Sequence, residues 1–547
     1  MSSHSTKLPQ RRRESAPAFC LALLVATTIA RIAAAQNVLT YHNDNARTGQ
    51  NLQERILTPQ RVSSSFFGKL FVIPVDGKVD AEPLYVRHLA IPGPGGPRNV
   101  LFVATEHGSV YALDAGTGKR FWRARLLKSG ETPSDPRNCT QVIPEIGVTS
   151  TPVIDLSSGP HGTVYVVAMS RDRQGRYYQR LHALDLTTGA EEFGGPADIQ
   201  ATFPGHGPHS RDGKVVFDPK QYEERAALLL DHGVIYTAWA SHCDLEPYNG
   251  WIMGYDERNL SQVSVLNLTP NGNEGAIWQS GNGPAADAEG NIYLLDGNGA
   301  FDAKTNPQDF PAQGDFGNAF LKLAVIDGRL TVADYFAVSN IASENATDLD
   351  LGSGGPLVLP DLKDASGRVL HLAVGAGKDR NIYLVNRDSM GKFDPGGNNR
   401  NAYQVVQHVL GDGEFASPAY FDGRLYYGAV DDHIKEFRFV NGRLEDSPAS
   451  ESPTVFTYPG ATPSISADGL RNGIVWAAEH GDRAVLRAYD ANDLSRELYN
   501  SNQQPSGRDY FGIGNKFITP MIAGGRVYVG TTSGVAVFGL LPRVHPY

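Results

Sequence analysis

Side chains able to do chemistry are spread along this chain and are not gathered in one motif. His206, His209, His242 and Cys243 are all metal-competent, yet their spacing fits no zinc pattern, and loop histidines of this kind read as surface residues. Cys139 and Cys243 are expected to join as a disulfide if the chain reaches an oxidising compartment. The stretch from Tyr41 to Gln50 is dense in polar groups and is expected to cap the closing blade through side-chain hydrogen bonds. The glycine-x-glycine runs sit between strand patterns and open no helix, so they are not phosphate loops, and no nucleophile elbow is present. What remains is a set of polar-segment residues: Asp244, Glu246, Asp348, Asp350 and Lys378, with Asn298 and Trp278. Singly, each has an ordinary structural role. Trp278 suits a packed interior, Asn298 suits a turn with positive φ, the aspartates suit loop caps, and Lys378 suits a solvated tip.

Whether these residues meet depends on the elements that carry them. Tyr111-Ala-Leu-Asp-Ala-Gly-Thr-Gly-Lys-Arg-Phe-Trp122 reads as a hairpin: a half-buried strand, a tight turn at Gly116-Thr-Gly118, and a returning strand. Residues 100–104 before it are a continuous apolar run, and Pro83-Leu-Tyr-Val86 is a short strand, making four strands in succession. The pattern returns at Pro152-Val-Ile154 with Leu181 to Gly189, and more loosely from Ala227, Pro284, Gly355, Ser417, Thr462 and Thr519. Eight four-stranded units imply an all-β, eight-bladed propeller of antiparallel blades, because one such sheet cannot bury its own faces. The eighth copy stops at Phe538 and lacks a strand. Phe67 to Ile73, ahead of the first copy, has the length and pattern to supply it and so close the ring. A seven-bladed ring with one degenerate copy is the alternative.

In such blades the connection between strands two and three and the connection to the next blade open at the same end. Segments 128–149, 194–224, 241–250, 297–318, 339–353 and 375–380 therefore converge on the axis at one mouth, the expected place for a site.

The first 35 residues differ from the rest. Arg11 to Arg13 precede an apolar run from about Pro17 to Ala30, with small residues at Ala33 to Ala35, which reads as a secretory signal peptide over 1–35 before a single propeller domain over 36–547. The apolar run is too short for a membrane anchor. The expected location is periplasmic or secreted. Its loss removes five basic residues and one acidic, taking the formal net charge from −10 to −14 and making nucleic acid a poor partner.

The repeat ending Ala-Leu-Asp-Ala-Gly-Thr-Gly-Lys-Arg-Phe-Trp resembles that of the pyrroloquinoline quinone (PQQ) propeller superfamily, over nearly the whole chain after residue 35. The superfamily contains both quinoprotein alcohol dehydrogenases and non-catalytic propellers. Against the dehydrogenases, Gly275-Ala-Ile-Trp278 resembles the segment whose Trp lies under the quinone. Leu295-Asp-Gly-Asn-Gly299 resembles the loop whose Asn holds calcium. Asp348-Leu-Asp350 falls at the catalytic aspartate, and Lys378 resembles the cation beside the quinone oxygens. The resemblance thus implies PQQ and calcium as cofactors. It gives Asp348, Asp350 and Lys378 catalytic roles, places Trp278 and Lys378 against the quinone, and makes Asn298, with Glu246 or Asp244, the metal ligands.

The chain also departs from that pattern. No two cysteines are adjacent, Leu245 stands where the family has its calcium-binding Glu, and the family's Trp near the catalytic aspartate is absent. No Cys-x-x-Cys-His is present for a c-type haem. Three functions stay open: an exported quinoprotein oxidoreductase acting on an alcohol or sugar, a propeller binding a protein or glycan, and a structural relative that has lost the quinone site.

Overall fold

Apolar runs bounded by turn residues give the chain its strands, and the first repeat shows how. The structure, a computed structural model, describes residues 36–93, 96–208 and 210–542 with Met1, Ser2 and His4. Most of the expected signal peptide, and His209, lie outside the described residues. A contiguous unit spans Ala35–Tyr547. In blade 1, Arg98–Thr105 and Ser109–Asp114 are the central strands, with Leu84–Leu89 inside and Arg120–Arg125 outside. The turn is set by Asp114, whose carboxylate accepts from the Gly116 and Thr117 N–H groups, while Gly118 takes φ +73°. Asp185 repeats the arrangement in blade 2 with Thr187, Thr188 and Gly189.

The same repeat docks one blade on the next. Trp122 donates through Nε1 to Leu186 O at 3.0 Å, and a Cβ on Gly189 would fall 2.5 Å from the Trp122 ring, so only glycine fits. Blades 2 to 7 follow over 153–198, 229–267, 285–337, 357–406, 419–456 and 464–500, each with four antiparallel strands at its centre. Blade 8 combines Met521–Ala523, Arg526–Thr531 and Gly534–Leu540 with Phe67–Pro74. Phe67 stands opposite Leu540 and Ile73 opposite Val535, so the ring is eight-bladed and closed by the strand from before the first repeat, and a seven-bladed ring is excluded. Among the described residues, no helix is long and apolar enough to cross a membrane.

The innermost strand of every blade has an edge facing the axis, and unpaired edge groups need partners. Residues 38–51 supply them. In chain order this strap bonds blade 1 (Val38 with Tyr85), blade 2 (Ile154 N–H to Leu39 O) and blades 3 and 4 (Asn45 Nδ2 to Leu230 O, Ala286 N–H to Asn45 O). It goes on to blades 5, 6 and 7 (Val358, Tyr420 and Ile465 N–H to Ala46, Thr48 and Gly49 O) and ends on blade 8, where Asn51 Nδ2 donates to Ile522 O. The polar stretch from Tyr41 to Gln50 therefore does not cap the closing blade, as its composition suggests; it laces all eight. At its centre Arg47, fully buried, donates to Pro284 O, Leu228 O, Tyr41 O and Thr40 Oγ1. Gly49, at φ +68°, has no room for a Cβ against the His42 ring.

Candidate functional site

Above the strap, the connections that open at one end of the ring converge as the topology requires. Lys378 lies on the turn after Leu372–Ala376, the second strand of blade 5, and Asp348 and Asp350 lie on the connection from blade 4 to blade 5. Lys378 Nζ donates to Asp348 Oδ1 at 2.9 Å and reaches Asp350 Oδ2 at 2.5 Å. The backbone fixes this pairing, because Lys378 N–H donates to Asp350 O at 3.0 Å and a Cβ on Gly377 would lie 2.4 Å from that oxygen.

The two aspartates differ in surroundings. Asp348 is open to the funnel, its side chain 78% exposed, at φ +58°. Asp350 is buried, and its Oδ1 has no hydrogen-bond partner. Burial pushes the Asp350 carboxyl up, Lys378 pulls it back, and Asp348 and Asp244 push it up again. Burial works against the Lys378 charge, but Asp350 and Asp348 outweigh it and hold the ammonium above its ordinary value.

Asn298 joins this pair from blade 4. Its Nδ2 donates to Asp348 Oδ1 at 3.1 Å, and its Oδ1 is buried without a partner. Asn345, in the short helix Ile341–Ala346, ties the Asp348 connection to the Asn298 loop by donating to Gly299 O at 2.7 Å. Trp278 is half-buried on the connection between blades 3 and 4. It packs against the apolar cluster of blades 2 and 3, and a Cβ on the neighbouring Gly297 would meet its Cδ1 at 2.9 Å.

The two acidic residues weighed as alternative ligands part company. Asp244 is raised by burial first, lowered by Lys378 and raised by Asp348, so it shares the funnel with that pair. Glu246 turns instead toward Asn273, accepting from its Nδ2 at 3.1 Å, and toward Glu274. Cys243, next to Asp244, is disulfide-bonded to Cys139 with Cα atoms 5.9 Å apart, so the loop carrying Asp244 is tethered covalently to the connection between blades 1 and 2. His242 is buried beside Glu223, 3.8 Å away, and donates through Nε2 to Pro136 O at 3.1 Å.

Composition gave no pointer to several residues here. Glu274 has its carboxyl raised to about 7, by burial first and then by Glu246, Asp244 and Asp348. Its only signal is adjacency to Gly275-Ala-Ile-Trp278. Phe415, Tyr458 and Phe517, from three successive connections between blades, form an edge-to-face chain with centroids 5.6 and 6.4 Å apart. Each ring carries a cation: Lys378 at 5.9 Å, Lys516 at 5.2 Å and Arg225 at 5.0 Å. The funnel is thus acidic on the side of blades 3 to 5 and aromatic and cationic across from it. A separate open cleft, around Arg400, Tyr403, Gln404 and Arg443, lies on the outer strands of blades 5 and 6 and shares no residue with the funnel.

The donors suit a hard cation in type: the unpartnered Asn298 Oδ1, the open Asp348 and nearby Asp244 are all oxygens. They are few. Among the described residues, no group of three or more His, Cys, Asp or Glu side chains is placed to hold a metal ion. Calcium takes about six to eight oxygens, so a cation here would draw the rest from a bound organic ligand and water.

A family model for PQQ-type repeats, described as outer membrane protein assembly factor BamB, matches residues 45–146. No curated protein matches the chain. Among solved structures, the chain is similar to a quinohemoprotein alcohol dehydrogenase from Pseudomonas putida HK5, with TM-score 0.62 and 14% identity over 94% of this chain and 82% of that one. It is similar to the quinohemoprotein alcohol dehydrogenase of Comamonas testosteroni, with TM-score 0.59 and 13% identity over the same shares. A europium-containing methanol dehydrogenase gives TM-score 0.59 and 12% identity over 92% of this chain and 98% of its own. At these identities the likeness is one of fold: the chain is a β-propeller similar in architecture to the quinoprotein alcohol dehydrogenases, with a match to a PQQ-type repeat model over residues 45–146.

Proposed function

We propose that this protein is an exported quinoprotein-like oxidoreductase acting on an alcohol or sugar at the funnel mouth. The observation that carries the reading is Lys378 held between Asp348 and Asp350 beside an Asn298 whose Oδ1 has no partner. Polar groups left unpaired in a buried site cost about 1 to 3 kcal/mol each, so a ligand that pairs them is favoured. PQQ, when bound, supplies an acceptor for hydride. Asp348, open to the funnel, takes the proton of the substrate hydroxyl as general base. Lys378 stabilises negative charge that develops on the acceptor side. Asp350 positions Lys378, Trp278 offers an aromatic surface, and Asn298 with Asp348 and Asp244 offers oxygens to calcium. Export rests on the leader pattern over residues 1–35 and agrees with a disulfide at the mouth.

The test is incubation of purified protein with PQQ and calcium, followed by absorbance and a dye-linked alcohol oxidation assay. A quinone spectrum that stays with the protein through desalting, and alcohol-dependent dye reduction, are expected. The second reading, a propeller that binds a protein or glycan without chemistry, is favoured by the sparse metal donors and the lack of adjacent cysteines. Failure of PQQ to remain bound in the presence of calcium would select it.

A further inference from the structure

The cationic side of the funnel sets three cations, Lys78, Arg225 and Lys516, against the one carboxylate of Asp80. Arg225 is 5% exposed, has neither a hydrogen bond nor an ion pair among the described residues, and its Nε is buried without a partner. Its guanidinium lies over the face of Phe517, 5.0 Å from the ring centroid. Among the described residues Lys516 Nζ donates only to Gln141 Oε1, at 3.4 Å, and has no carboxylate partner; Lys78 nearby is already paired with Asp80 at 3.2 Å. Arg225, Lys516, Lys78 and Gln141 line one narrow cleft with the Lys78-paired Asp80 and with Thr149, whose Oγ1 is also buried and unpartnered. Phe517 at its edge adopts φ +59°, a strained conformation for a bulky side chain that clusters at ligand sites. Two unpaired cations side by side in a buried place repel each other, and burial together with Arg225 and Lys78 lowers the Lys516 ammonium. An anion placed between them relieves the repulsion and fills the empty donors.

We infer that Arg225 and Lys516, with Thr149 and Gln141, form an anion subsite that takes the carboxylate of a small acidic sugar, an aldonate or uronate. The Phe415–Tyr458–Phe517 chain carries Lys378 at one end and Arg225 at the other, so the subsite and the Asp348–Lys378 pair open into the same funnel. A hydroxyl of a ligand anchored by its carboxylate then faces that pair. The carboxylate contact stands on this cleft alone; the orientation of the hydroxyl rests on the oxidoreductase reading above.

The experiment is titration calorimetry of the full-length mature protein, free of quinone, with sodium glucuronate and with neutral glucose. Glucuronate should bind more tightly than glucose and weaken with added salt. Arg225→Gln and Lys516→Gln should each weaken it about tenfold or more, as loss of one charge-assisted hydrogen bond implies, with unfolding midpoints near the parent's as the control for folding. Equal affinity for glucuronate and glucose, or unchanged binding in both variants, would overturn the subsite. Full exclusion of glucuronate once PQQ and calcium are bound would show that the cleft serves the quinone's own carboxylates and overturn the acidic-sugar assignment. Glucuronate binding in a protein that retains no PQQ would uphold the subsite while removing the oxidoreductase reading.

Discussion

Two buried arginines on the propeller axis are put to opposite uses. Arg47, in the strap, places its guanidinium on three backbone carbonyls and one hydroxyl, and every blade is bonded to the segment around it. Arg225, at the mouth, is nearly as buried and, among the described residues, rests its guanidinium on a ring face with no hydrogen bond or ion pair. The contrast extends to their neighbourhoods. Asn298 Oδ1, Asp350 Oδ1, Thr149 Oγ1 and both amide atoms of Gln279 are unpartnered at or beside the mouth. Polar groups at the strap hold the fold together; at the mouth they are held ready by a scaffold that does not need them. Buried unpaired groups are expensive and persist where a ligand completes them.

Replacing each arginine by methionine sharpens the comparison most. Arg47→Met strands carbonyls of the strap and of blades 3 and 4, and should cost about 5 kcal/mol, several charge-assisted bonds at once. Arg225→Met removes a repelled charge and should be neutral or stabilising, as replacement of buried charges by apolar groups often is. Urea unfolding of both variants decides it, and equal losses would break the distinction drawn here. The next effect is covalent. The Asp244 loop is held by a disulfide where the strap is held by hydrogen bonds, so the double change Cys139→Ser and Cys243→Ser should cost about 2 to 5 kcal/mol. Two titratable thiols in the native parent protein would remove the tether.

Strap and mouth were legible in the sequence to different degrees. The eight copies and the spare strand from Phe67 specify the ring, because the repeat is local: the Asp114 turn and the Trp122 to Gly189 contact use residues the motif itself contains. Asn298, Asp348, Asp350 and Lys378 could be named from their motifs and placed at one mouth from strand order alone. The strap could not. Its bonds join residue 39 to 154 and 49 to 465, partners fixed only once the ring has closed. Arg225 and Phe517 were invisible for a related reason: what marks them is a missing partner and a strained φ, neither of which has a residue-type signature. Leu245 stands at the place of the family's calcium-binding Glu, and the motif could not choose between its neighbours Asp244 and Glu246: the Glu246 side chain turns to Glu274 and Asn273, and Asp244 is the carboxylate that senses Lys378.

Proton binding separates the regions further, with smaller effects. Glu82, which accepts the His42 N–H of the strap, and Glu344 and Glu414 each have carboxyls raised from 4.5 to about 8, chiefly by burial. The folded protein therefore keeps protons that the unfolded chain releases, and stability should fall as pH rises from about 4.5 to 8. Glu414→Gln should flatten that slope by up to about 1.4 kcal/mol per pH unit, the contribution of one proton, and an unaltered slope would remove Glu414 from the account. Glu274, at the half-open mouth, should matter least to folding: Glu274→Gln is expected to change stability by less than about 0.5 kcal/mol. A larger loss would mean that the mouth, like the strap, is structural.

The central claim, that the mouth is a catalytic site built around an open carboxylate, is tested most directly by Asp348→Asn loaded with PQQ and calcium. Asparagine keeps the shape and the oxygen and removes the base. The account predicts retained quinone absorbance with alcohol oxidation lowered by roughly 10² to 10⁴, the contribution typical of general-base catalysis. Oxidation at the parent rate in this variant would contradict it.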